Sequence, residues 1–127
     1  MNKGRVLLVG GDPDVCRTLQ VYLAAHQFSV QVVSHGGEAL LACHQAPPDA
    51  VIFDWYLADM DGYDFCQQIR ADECAANSFI LALLSTNERD VRLAALEAGA
   101  DDVMSQPIDI ERLRLGIERT LGLCSSS

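Results

Sequence analysis

The chain has 127 residues, 50% of them hydrophobic and 21% charged, with a formal net charge of −9; this is the balance of one globular domain, able to bury roughly two-thirds of its unfolded surface. Its acidic excess opposes nucleic acid and anionic lipid, so no direct nucleic-acid or membrane partner is expected. No apolar run approaches the roughly 20 residues a bilayer needs, and Met1 to Arg5 leads straight into a strand-like run instead of a signal peptide, which predicts a cytoplasmic protein.

In chain order, Val6 to Val9 is a short apolar run that stops on Gly10 and Gly11. Asp12 then offers a helix cap and Pro13 suits a first helical position, where its missing N–H costs nothing. Val15, Leu19, Tyr22 and Leu23 share one face of that helix. A second apolar run, Phe28 to Val33, is followed by the Gly36-Gly37 turn and a helix carrying Ala39, Leu40 and Cys43. The third run, Ala50 to Phe53, leads through an acidic loop to Gly62 and the helical spacing of Tyr63, Cys66 and Ile69. Phe79 to Leu84 is the fourth, followed by Val91, Ala94, Ala95 and Ala98 running up to Gly99, a left-handed helix stop. Val103-Met104 is the fifth, followed by Asp109 as a cap and a stripe of Ile110, Leu113, Ile117 and Leu121. Residues 122–127 read as a frayed tail or the start of a linker.

Short runs of this kind suit strands buried on both faces. Alternated with helices, they require right-handed crossovers, and hence an α/β fold: a doubly wound parallel sheet of five strands with helices on both sides. The five cysteines are odd in number and lack CxxC spacing, so Cys16, Cys43, Cys66, Cys74 and Cys124 are expected to be reduced structural thiols, four of them in helix-like segments. His26, His35 and His44 show no metal-ligand spacing with them along the chain, which disfavours zinc.

In an open parallel sheet the ligand site lies beyond the carboxyl ends of the strands, near the point where strand order reverses. That rule selects Gly10, Gly11 and Asp12; Asp54 and Trp55; Ser85, Thr86 and nearby Arg89; and Ser105, Gln106 and Pro107. Taken alone, the glycine pair is compatible with a phosphate-binding turn, but it lacks the spacing of GxGxxG and of the P-loop.

The stretches PPDAVIFDWYLADMDGYDFCQQIR (47–70), LLSTNERD (83–90) and EAGADDVMSQPIDIERL (97–113) resemble the receiver domains of two-component response regulators, over about residues 4–121. The resemblance implies a single receiver domain, residues 1–127, with the CheY-like strand order 2-1-3-4-5. It also implies transfer of a phosphoryl group to an Asp carboxylate from a histidine kinase or small phosphodonor. In a working receiver a divalent cation held by two further carboxylates, together with a lysine, stabilises the charge of that transfer.

Carried over residue by residue, Asp54 matches the phosphoacceptor and Ser85 the phosphate-binding hydroxyl, with Thr86 beside it. The acidic pair that closes the first strand in the family falls on Gly10 and Gly11, with Asp12 one place too late. The family lysine falls on Gln106, the switch aromatic on Val103, and the proline before the acidic loop on Ala58. Lys3, the only lysine, starts the first strand at the far end of the sheet.

The expectation is therefore an atypical receiver, not an enzyme, with no metal bound by its pocket and no cofactor. It would signal through contacts with a protein partner such as a histidine kinase or an output domain. A homodimer through the mixed-charge fourth and fifth helices (Arg89, Asp90, Arg92, Glu97; Glu111, Arg112, Arg114, Glu118, Arg119) is a further expectation. Plainer readings stand beside these: Asp54 as a polar strand end, Ser85 as a turn hydroxyl, Gln106 as a satisfied amide, Asp59 and Asp61 as turn acids, and Asp101-Asp102 as a solvated turn. The alternative function is Mg2+-dependent phosphorylation of Asp54 through a rearranged site, with Asp12 or Asp59 as the displaced carboxylate and Arg89 as the cation. A flavodoxin-like nucleotide binder is a remote third.

Overall fold

The computed structural model describes residues 2–85 and 87–122, and the expected alternation is present throughout. Strand β1 (Gly4–Val9) leads to helix α1 (Pro13–Ala25), β2 (Phe28–Val33) to α2 (Gly36–Gln45), and β3 (Ala50–Asp54) to α3 (Gly62–Ala71). Strand β4 (Phe79–Leu84), α4 (Arg89–Ala98), β5 (Asp102–Ser105) and α5 (Ile110–Thr120) complete the chain. The strands form one sheet in the order β2-β1-β3-β4-β5, every neighbouring pair parallel.

The two faces of the sheet follow from the alternation of side chains along each strand. Leu7, Val9, Val51, Phe53, Ile80, Ala82, Leu84 and Val103 point to one side, where they pack with residues of α2, α3 and α4 such as Cys43, Phe65 and Ala95. Val6, Leu8, Ala50, Ile52, Leu81 and Met104 point to the other, against Leu19 and Leu23 of α1 and Leu113 and Ile117 of α5. Central strands with apolar residues on both faces are thus explained by a layer of helices on each side.

Three of the five helix starts follow the expected capping chemistry, while α2 and α4 have no side-chain hydrogen bond from their own N-cap residue. Asp12 caps α1 by accepting from Asp14 N at 2.9 Å, Asp61 caps α3 by accepting from Tyr63 N at 2.9 Å, and Asp109 caps α5 through Arg112 N at 3.0 Å. Helix α2 has no local side-chain cap at His35. Instead Asp59, 23 residues further on, accepts from Gly36 N at 2.8 Å and from Gly37 N at 3.0 Å. These two backbone donors, Gly37 first, hold the Asp59 carboxyl below the ordinary carboxylate range.

Three details differ from the expectations. Strand β3 extends one residue beyond Phe53 to take in Asp54, which pairs in register with Leu83. Cys43 and Cys66 are buried and Cys16 is half-buried, but Cys74 is exposed in the turn after α3, which Asp72 ends by turning the backbone to an extended conformation. Asp101, exposed in the bend before β5, and Asp102, the first residue of that strand, are engaged in hydrogen bonds rather than merely solvated. Asp101 accepts from Arg70 Nη2 at 2.6 Å and Ile80 N at 2.8 Å, while Asp102 accepts from Val103 N at 2.8 Å. Thr86 and Cys124 lie outside the described residues. Among the described residues, no helix is long and apolar enough to cross a membrane.

Candidate functional site

The order β2-β1-β3 places the carboxyl ends of β1 and β3 side by side, and the crevice between them is floored by Gly10, Gly11 and Asp54. Ser85 and Gln106 line the same cleft from the β4 and β5 side, as Asp12 and Cys16 do from α1. The strand-end rule therefore gathers the residues it selected, but the hydrogen bonds divide them into different tasks.

Asp54 is half-buried, and its Oδ1 accepts from Tyr56 N at 2.9 Å, an Asx turn that begins the acidic loop. No hydrogen bond joins Asp54 to Ser85 or Gln106 among the described residues. Gln106 is fixed through its backbone, its N–H donating to Leu84 O at 3.1 Å. Trp55 turns away from the crevice: its ring lies against Gly62, where an added Cβ would stand 2.9 Å from the indole. Tyr56 and Leu57, not Trp55, line the rim.

The glycines are more than missing side chains. Gly10 has φ +65° and Gly11 φ +87°, backbone conformations that L side chains rarely adopt. A Cβ on Gly11 would meet Asp54 Oδ2 at 3.3 Å, and one on Gly10 would meet Leu57 Cδ2 at 3.0 Å. The Asp54 carboxylate and the Leu57 side chain thus lie close against the bare backbone of the β1–α1 turn.

An octahedral oxygen-ligated ion such as Mg2+, the cation the family resemblance implies, does not fit this donor set. Asp54 and Asp12, the latter capping α1 through Oδ1 alone, each contribute one oxygen not already hydrogen-bonded, and Gly10 and Gly11 contribute no side-chain donor. Asp59 is engaged in capping α2. Arg89 is exposed at the start of α4 and lines neither cavity that contains Asp54. The neighbour that sequence reasoning missed is Cys16, whose Sγ donates to Gly10 O at 3.0 Å. Burial first, then the charges of Asp12 and Asp54, raise its pKa, so the crevice holds a neutral thiol beside its carboxylate. Its position one turn after the Asp12 cap was the available signal.

Val103, on which the resemblance placed the switch aromatic, is 2% exposed and packed in the α2–α4 side of the core. Of the mixed charges on α5, Arg114 and Glu118 turn inward. Arg114 Nε donates to Tyr22 Oη at 2.9 Å and its Nη1 to both oxygens of Glu118 at 3.1 Å, while Lys3 Nζ donates to Glu118 Oε2 at 3.0 Å. Arg114 and Glu118 therefore do not belong to a solvated face shared with α4. Lys3 lies at the end of the sheet away from Asp54, as expected, and pairs there with α5.

Comparison with known proteins bears on this arrangement. The family model described as "Response regulator receiver domain" matches residues 6–118. The DNA-binding response regulator MtrA of Mycolicibacterium smegmatis is 34% identical over 109 residues, covering 86% of this chain and 46% of that protein. The chain spans about half the length of the curated relatives it matches. Among solved structures, the receiver domain of a Pseudomonas aeruginosa PAO1 sensor histidine kinase, with a magnesium ion coordinated in its active site cleft, superposes with a TM-score of 0.85 at 27% identity, covering 94% of this chain and 98% of that one. A two-component response regulator from Clostridium difficile gives 0.85 at 26% identity, covering 96% and 98%.

Proposed function

The chain belongs to the response regulator receiver domain family of two-component signalling, and from that premise we propose that it is an atypical, cytoplasmic receiver that acts through protein contacts rather than through Mg2+-dependent phosphorylation. The observation that carries this reading is the bare β1–α1 turn, where two glycines at positive φ, Gly11 directly against Asp54, put no carboxylate beside it and leave Asp12 as the one other acid lining the cleft among the described residues. Phosphoryl transfer to a carboxylate brings negative charge together with negative charge. Each missing electrostatic partner is worth about 3 kcal/mol at such a transition state, so losing the cation site and the lysine lowers the rate by several powers of ten. Asp54 retains an open oxygen, Ser85 lines the cleft beside it, and the neutral Cys16 thiol adds no charge to stabilise the transfer.

Intact-mass analysis after treatment with a small phosphodonor and Mg2+ tests this reading. The expected result is an unchanged mass. A stable gain of one phosphate that disappears in Asp54→Asn would favour the rearranged-site alternative instead.

The partner is a histidine kinase, an output domain or a second copy of the chain. For the last, α4 supplies the surface, since Leu93 and Leu96 are 54% and 47% exposed beside Arg89 and Arg92.

A further inference from the structure

At the end of the sheet opposite Asp54, three potential metal-binding side chains meet, one of them, His44, 28 and 30 positions before the other two. His44 is in the last turn of α2, Asp72 ends α3, and Cys74 follows in the turn before β4. One ligand atom from each lies within 4.8 Å of the other two, the one such set of three His, Cys, Asp or Glu side chains among the described residues. His44 Nδ1 is 2.9 Å from Asp72 Oδ2. Asp72 Oδ1 accepts from Cys74 N at 2.7 Å, a short turn that fixes the carboxylate and keeps Cys74 beside it. The carboxyl ends of α2 and α3 both come to this place, and the negative ends of their dipoles favour a cation there.

We propose that His44, Asp72 and Cys74 form a surface site for a borderline-soft divalent transition-metal ion, with Zn2+ the best fit. An imidazole nitrogen, a carboxylate oxygen and a thiolate sulfur are the zinc donor types, whereas Mg2+ and Ca2+ require oxygen alone. Zinc bonds of about 2.0 to 2.3 Å place neighbouring ligand atoms about 3.3 to 3.8 Å apart in a tetrahedron. The His44–Asp72 pair opens by a few tenths of an ångström to accept the ion, and the Cys74 thiol, within 4.8 Å of both partners, closes by no more than about 1 Å, within reach of exposed side chains. The ion takes the place of the His44–Asp72 hydrogen bond as the neutral imidazole shifts its proton from Nδ1 to Nε2, and the Cys74 thiol gives up its proton to solvent on binding. The fourth position remains open to water or to a group on a partner protein. Such a clip ties α2 to the α3–β4 turn and uses none of the residues around Asp54. Linear spacing argued against zinc because the site is assembled from residues 28 and 30 positions apart.

The test titrates Zn2+ into the full chain against a chromophoric chelator and records the absorption spectrum with Co2+ in its place. One ion per chain is expected, with a thiolate-to-cobalt charge-transfer band and no competition from excess Mg2+. Cys74→Ser and His44→Gln, both at exposed positions, should each weaken binding by about tenfold or more, and Cys74→Ser should abolish the band. Asp54→Asn and Cys16→Ser should leave binding unchanged. Substoichiometric binding, affinity indifferent to Cys74→Ser and His44→Gln, or loss of binding in Asp54→Asn would overturn the proposal.

Discussion

At the scale of single residues, the β1–α1 turn shows why restoring a carboxylate pair is not a simple reversal. Gly10 and Gly11 occupy positive φ, where a non-glycine residue costs about 1 to 2 kcal/mol, somewhat less for aspartate. A side chain at Gly11 also enters space adjoining the Asp54 carboxylate, adding like-charge repulsion if it is acidic. Gly10→Asp with Gly11→Asp is therefore expected to lower stability by about 2 kcal/mol or more in urea unfolding. It should also fail to produce a Mg2+-dependent rise in melting temperature. A gain in stability on adding Mg2+ to the double variant would show that the turn rearranges freely.

At the scale of elements, α5 is held to the rest of the fold by charge as well as by its apolar stripe. Glu118 is 6% exposed and receives Lys3, just before β1, and Arg114, which in turn holds Tyr22 of α1. Burial works to raise the Glu118 pKa, but the hydrogen bonds from Lys3 and Arg114 prevail and leave it lowered. A carboxylate whose folded pKa lies below its unfolded value stabilises the fold above the unfolded pKa, here an ordinary value of 4.5, and that contribution is lost as pH falls through the folded value. Glu118→Ala leaves two cations without their partner and is expected to cost about 3 kcal/mol. It should also flatten the acid limb of the stability-versus-pH curve below about pH 4.5, measured by urea titrations across that range. An unchanged acid limb would show that other carboxylates, such as Asp59 and Asp72, carry it.

For the whole molecule, the placement of charge decides which substitutions report on association and which report on folding. Arg92 and the exposed Leu93 and Leu96 lie on α4, available to a second copy, whereas Arg114 is turned toward α1 and engaged with Tyr22 and Glu118. Arg92→Glu and Leu96→Glu are expected to shift sedimentation-velocity profiles toward monomer with little change in melting temperature. Arg114→Glu should lower the melting temperature instead. A wild-type chain that sediments as monomer at every concentration would remove the α4 dimer.

The class of fold and much of the crevice follow from pattern along the chain alone. Five apolar runs alternating with capped helical stripes admit few arrangements other than a parallel sheet covered on both faces, and the strand-end rule then gathers Gly10, Gly11, Asp54, Ser85 and Gln106 at one mouth. Periodicity and capping are local, so they are legible along the chain. How the acids are used and where charges meet is set in three dimensions. Asp59 caps a helix 22 and 23 residues earlier in the chain, Asp101 holds Arg70, Glu118 joins Lys3 across 115 positions, and His44 comes to Asp72 and Cys74. Each of these pairings depends on which strands lie side by side and where the crossovers end, and spacing in one dimension carries no record of that.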